Sequence, residues 1–130
     1  MISWNNDMDS GIFEIDEQHQ ELVRRFNNFE SVVEIGNAEK ELDEVFQFLR
    51  SYAIFHFVDE EEIMLKCDYP GVYGHIQQHD EFSKKMFVLH NQLKEDRFSL
   101  SLKVSKFVEE WILEHIGIED RAFWEYMRQR

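Results

Sequence analysis

The 130-residue chain has one cysteine, one proline and five glycines, and each shortage removes a class of architecture. Cys67 alone can build neither an internal disulfide nor a thiolate-rich zinc site, and a single thiol suits a reducing compartment. So few prolines and glycines favour long helices over a turn-rich β fold. Basic residues are also scarce, 14 against 27 acids, and a formal charge of -13 repels phosphate backbones and anionic lipid headgroups. Nucleic acid is not an expected partner. No run of about eighteen uncharged apolar residues occurs, and Met1 to Asn6 have no basic stretch leading into an apolar one. No membrane insertion is expected, and the chain reads as soluble and cytoplasmic. There is no dinucleotide-binding glycine loop, P-loop or nucleophile elbow, so no catalytic residues are assigned and the chain is not expected to be an enzyme.

What the sequence has is bulk and period. Hydrophobic residues make up 43% of the chain, with twelve phenylalanines and three tryptophans, enough for one packed core. Residues 1–130 read as a single domain. A three-four stripe through Ile15, His19, Leu22, Val23, Phe26, Phe29 and Val33 predicts a first helix, with Asp16 as its cap and Gly36-Asn37 as its end. After an Asn37 cap, Leu42, Val45, Phe46, Leu49, Tyr52, His56, Glu60 and Ile63 predict a second helix that stops before Tyr69-Pro70-Gly71. Val72, His75, Ile76, His79, Phe82, Met86, Leu89 and Leu93 mark a third, which gives way to a loop at Lys94-Glu95-Asp96-Arg97. A fourth runs from about Ser101 through Val104, Phe107, Val108, Trp111, His115 and Ile118 to the polar tail Arg128-Gln129-Arg130. Short connections between such helices give an all-α, up-down-up-down antiparallel four-helix bundle, preceded by an extended N-terminal segment.

That topology brings polar residues to one level. His56 and Glu60 precede the second connection and His75 and His79 follow it, while His19, at the start of the first helix, and His115, late in the fourth, come to the same end of the bundle. A lone histidine on an apolar stripe is most often a satisfied core residue, but five at one level with carboxylates cannot be buried cheaply without cations. His56 with Glu60, and His75 with His79, are spaced i to i+4 and project from one helix face. Imidazole and carboxylate without thiolate suit iron, manganese or zinc. Seven ligands exceed the needs of one ion. Two six-coordinate ions offer about twelve positions, of which five imidazoles, two bridging carboxylates and an oxygen bridge fill about eleven. One open position on a redox-active pair is a place for dioxygen.

His19, His56-x-x-x-Glu60, His75-x-x-x-His79 and His115-x-x-x-x-Asp120 occur in the order of the hemerythrins, which the chain resembles over nearly its whole length. Trp4, Ile15-Asp16-Glu17-Gln18-His19, His56-Phe57-x-x-Glu60-Glu61, Tyr69-Pro70 and Trp111 ahead of His115-Ile116 extend the resemblance to single-domain bacterial hemerythrins. It implies two iron ions per chain with an oxo or hydroxo bridge: His75, His79 and His115 on one, His19 and His56 on the other, and Glu60 and Asp120 bridging. It further implies reversible dioxygen binding, for storage, delivery or sensing, with an oxygen-consuming enzyme or redox protein as a partner. Ile112, one turn before His115, is the candidate wall of the oxygen pocket. The alternative is a di-iron enzyme that activates dioxygen, peroxide or nitric oxide, but the Glu-x-x-His pairs of ferritin-like bundles are missing.

Regular helical spacing and the resemblance disagree at one place. Four residues after His115 comes Glu119, whereas the family pattern selects Asp120. A π-type distortion near Gly117 would turn Asp120 inward. His90 is too far along the third helix to join the cluster, and Cys67 reads as a small packed residue. In the run Asp59-Glu60-Glu61-Glu62 only Glu60 is in phase with His56, so the others read as a solvated face.

Overall fold

The computed structural model describes residues 1–129, so Arg130 of the expected tail lies outside it. Helix α1 is Phe13–Glu34, α2 is Leu42–Lys66, α3 is Val72–His90 and α4 is Arg97–Glu110. A π-helical segment, Trp111–Asp120, continues α4 without a break into α5, Arg121–Arg128, so the last three elements make one rod. No strand occurs among the described residues, and none of their helices is long and apolar enough to cross a membrane. α1 packs on α2 and α4, α2 on α3, and α3 on α4, which closes the four-helix bundle.

The helix ends follow from local chemistry, and several differ from the pattern reading. α1 begins three residues before Asp16, whose Oδ1 instead accepts the Ser10 N–H at 2.8 Å and ties the incoming chain to the first turn. Its far end closes as expected: Gly36 at φ 74° lets the Asn37 and Gly36 amides reach back to the Val32 and Val33 carbonyls. Asn37 does not cap α2 directly, because a 3-10 turn, Ala38–Glu41, lies between them. α2 ends in the same motif with Asp68 in the left-handed position at φ 54° and Tyr69 N–H on Met64 O. α3 stops at His90, so Leu93 sits in the following turns. α4 begins at Arg97 and not near Ser101, because Asp96 caps it by accepting the Phe98 and Ser99 amides. The N-terminal segment carries a 3-10 turn, Asn6–Met8, and is laid on α1 by Asn27, which bonds both backbone groups of Ile2.

The core falls into two apolar clusters. One holds Leu22, Phe26, Leu49, Tyr52, Phe57, Phe82, Val108 and Ile112 among others; the second holds Ile15, Met64, Val72, Phe123 and Trp124. Along every rod the candidate site residues fall between the two. On α1, His19 lies between Ile15 and Leu22; on α2, His56 and Glu60 lie between Tyr52 and Met64. On α3, His75 and His79 lie between Val72 and Phe82, and in the last rod His115 and Asp120 lie between Ile112 and Phe123. A polar layer is thus sealed above and below by hydrocarbon.

Candidate metal centre

All seven expected site residues meet in this layer, each from a helix that also buries apolar neighbours. His19, Glu60 and Asp120 are wholly inaccessible, and His56, His75, His79 and His115 are buried. Their donor atoms form two overlapping groups: Glu60, His75, His79, His115 and Asp120 in one, His19, His56, Glu60 and Asp120 in the other. Each carboxylate divides its oxygens. Glu60 Oε1 lies 2.8 Å from His75 Nε2 and 3.2 Å from His79 Nε2, while its Oε2 lies 3.4 and 3.3 Å from the Nε2 atoms of His19 and His56. Asp120 Oδ1 lies 2.7 Å from His75 Nε2 and 3.1 Å from His115 Nε2, with Oδ2 3.3 Å from His19 Nε2.

Asp120 and not Glu119 enters the layer. Glu119 is exposed, and the π segment accounts for the choice: bonding from i to i+5 stacks residue 120 over residue 115. The distortion spans ten residues, from Trp111 to Asp120, and so is broader than a kink at Gly117.

Outside the seven, three side chains fix the histidine rings. Gln18 Oε1 meets His56 Nδ1 at 2.6 Å, Glu61 Oε2 meets His79 Nδ1 at 2.7 Å, and Gln78 Oε1 meets His115 Nδ1 at 2.8 Å. A carboxylate or amide oxygen only accepts, so each Nδ1 carries a proton and each ring turns its Nε2 inward. Glu61 is therefore not part of a solvated face, and Asp59 accepts from Gln18 at 3.0 Å. The three follow one rule: each stands next in sequence to a candidate ligand and serves the histidine of the neighbouring helix. Gln18 adjoins His19, Glu61 adjoins Glu60, and Gln78 adjoins His79. Aromatic rings hold the same three histidines from the flank. Tyr52 stacks on His56 at 4.6 Å, Phe57 on His79 at 3.9 Å and Trp111 on His115 at 3.8 Å, within 15° of parallel.

The cluster fits metal ions. The Nε2 atoms of His79 and His115 face one another across 3.2 Å, and Glu60 Oε2 and both Asp120 oxygens meet histidine Nε2 atoms without completing a well-aligned hydrogen bond. Donors about 2.1 Å from one ion and at right angles to each other lie about 3.0 Å apart, close to the separations here. Without an ion, protons would do the work. Burial opposes charge on His19 and His75, but the Asp120 and Glu60 carboxylates outweigh it and raise their pKa values to about 9 and about 10. Burial also disfavours charge on Glu60 and Asp120, yet the facing histidines hold both carboxyls below the ordinary range. His56 is pushed down, first by burial and then by His19.

The remaining residues singled out in the sequence are not among the donors of the two groups. Ile112 is fully buried in the larger apolar cluster. His90 stacks on Phe46 at 4.9 Å, and Cys67 Sγ lies 3.8 Å from Met127 Sδ.

A family model described as the hemerythrin HHE cation binding domain matches residues 10–126. The chain is 28% identical over 125 residues to a bacteriohemerythrin of Stenotrophomonas maltophilia, covering 95% of this chain and 79% of that one. It is 28% identical over 128 residues to a bacteriohemerythrin of Clostridium acetobutylicum, covering 95% and 98%. With a bacteriohemerythrin of Pseudomonas aeruginosa it shares 25% identity over 129 residues, 98% and 82% of the two chains.

Proposed function

Since the chain belongs to the hemerythrin family, whose domain implies non-haem iron, we propose that it binds dioxygen reversibly at a pair of irons in this layer. His75, His79 and His115 would hold one iron and His19 and His56 the other, with Glu60 and Asp120 shared between them. The observation that carries the reading is the division of oxygens: each carboxylate offers one oxygen to each histidine group, as a bridge between two ions requires. The bacteriohemerythrin relatives, matched over most of their length, support the same reading.

When bound, two ferrous ions supply the electrons that dioxygen takes up on binding and returns on leaving. The chain's own residues determine whether that exchange reverses. Five neutral imidazoles and two carboxylates donate less negative charge than a carboxylate-rich set, which disfavours the higher oxidation states that substrate oxidation needs. Gln18, Glu61 and Gln78 keep three of the imidazoles in the tautomer that presents Nε2. Fully buried Ile112 and Ile116, beside His115, exclude water, and we assign Ile112 as a wall of the oxygen pocket.

The test is a spectroscopic cycle on the iron-loaded protein, reduced without air, exposed to oxygen and then stripped of it. A visible charge-transfer band that appears and disappears over several cycles supports reversible binding. Irreversible oxidation with turnover of a substrate would replace this reading with that of an oxygen-activating enzyme.

A further inference from the structure

Tyr52 is buried to 5% exposure, and no described protein group accepts a hydrogen bond from its hydroxyl. This is unusual for a core phenol: a buried hydroxyl is normally paired, and a phenylalanine would fill the same space without an unmet donor. The chain uses phenylalanine freely in this core, at Phe46, Phe57 and Phe82. Beside the hydroxyl lies the Trp111 indole, whose N–H approaches the phenol oxygen without completing a hydrogen bond. An indole can only donate, so even a close approach of the two would leave the phenol proton without an acceptor.

The placement of the pair is specific. Tyr52 and Trp111 each precede a site histidine by one helical turn and lie flat against it, Tyr52 on His56 and Trp111 on His115. His56 belongs to one histidine group and His115 to the other, so the two rings between them flank both groups. Phe57 and Phe82 pack around both rings, at 5.4 and 6.2 Å from Tyr52 and 5.5 and 4.6 Å from Trp111, and shield the donors with hydrocarbon. Donors held this way cost stability in the empty chain and gain an acceptor only when a ligand brings one.

We infer that the Tyr52 hydroxyl, with the Trp111 N–H beside it, is a hydrogen-bonding subsite for a small ligand with a terminal acceptor atom, dioxygen or a triatomic anion such as azide. The inference rests on the di-iron reading above. Its role is to position the ligand and slow its departure, and it does not help to hold metal.

Azide provides a test that does not depend on reversible oxygenation. In the oxidised, iron-loaded protein, Tyr52→Phe weakens azide binding by about tenfold or more, the loss expected for a hydrogen bond to a charged acceptor. It also shifts the azide stretching band in the infrared and abolishes that band's sensitivity to D2O. Trp111→Phe has a smaller effect in the same direction. In the zinc-loaded chain, Tyr52→Phe unfolds at the same temperature as the parent or higher, because it removes an unmet donor. Equal azide affinity and an unmoved band would overturn the subsite while leaving the di-iron reading intact. Lower affinity without a band shift would mean a displaced ring, and would overturn it too. A parent protein that holds no iron would overturn both.

Discussion

His79 and His115 face each other Nε2 to Nε2 at 3.2 Å, although each has its Nδ1 proton directed outward, to Glu61 and to Gln78. A proton or a metal ion must lie between two such nitrogens at that distance, and the acceptors that hold Nδ1 keep both Nε2 atoms turned inward, where they can serve a metal. His56 is held in the same way by Gln18.

Loss of one of these acceptors therefore loosens the metal without touching a ligand. Gln78→Leu and Glu61→Leu are each expected to weaken metal binding by about 10- to 100-fold in chelator competition. Glu61→Gln, which keeps an acceptor oxygen, recovers most of the loss. An unchanged affinity in the leucine variants would leave the three acceptors as packing only.

Asp120 and Glu119 can be told apart by the same assay. Asp120→Ala removes the carboxylate that faces both histidine groups, and the paired-metal signal is expected to vanish with it. Glu119→Ala, at an exposed position, keeps both metal content and signal. The reverse outcome would show that the π segment does not set the register of the site.

In the metal-free chain the layer makes stability depend on pH at both ends. His19 and His75 bind protons more tightly folded than unfolded, their pKa values rising from 6.5 to about 9 and about 10. Their contribution is fully present below pH 6.5 and is lost as pH rises through 9 to 10. Glu60 and Asp120 are depressed, so theirs is present above the ordinary carboxylate range and is lost as pH falls below it. Thermal denaturation against pH should show a plateau between these limits. Loading metal near pH 7 displaces the His19 and His75 protons, and a weakly buffered titration should record a release of about two per chain. No release would mean that these rings are already neutral.

Ile112→Ala separates packing from pocket. As a fully buried side chain its loss costs about 2–5 kcal/mol of stability, read by denaturant unfolding of the zinc-loaded chain. If Ile112 also walls the oxygen pocket, the oxygenated iron protein autoxidises faster in this variant, and Ile112→Val falls between. Destabilisation with unchanged autoxidation would confine Ile112 to the core.

The helix count and the level of the histidines were legible in the sequence because both follow from the 3.6-residue period: His56 with Glu60 and His75 with His79 share a helix face whatever the tertiary details. The π segment was not, since nothing in Trp111 to Asp120 distinguishes i+5 bonding from i+4; the inward turn of Asp120 was anticipated only from the hemerythrin resemblance. Asp96 as the cap of α4 was hidden inside a charged stretch that reads equally well as loop. Gln18, Glu61 and Gln78 lie on polar flanks, where periodicity assigns them to solvent, although a search of the residues adjoining each candidate ligand would have found all three. The Tyr52 hydroxyl, embedded in an aromatic stripe, becomes notable only once the lack of a partner is visible.

Two ions sharing two carboxylates are tested most directly by anomalous diffraction at the iron edge from crystals of the iron-loaded protein. Two peaks are expected inside the bundle, one beside His75, His79 and His115 and one beside His19 and His56, with Glu60 and Asp120 between them. A single peak, or iron outside the layer, would contradict that arrangement.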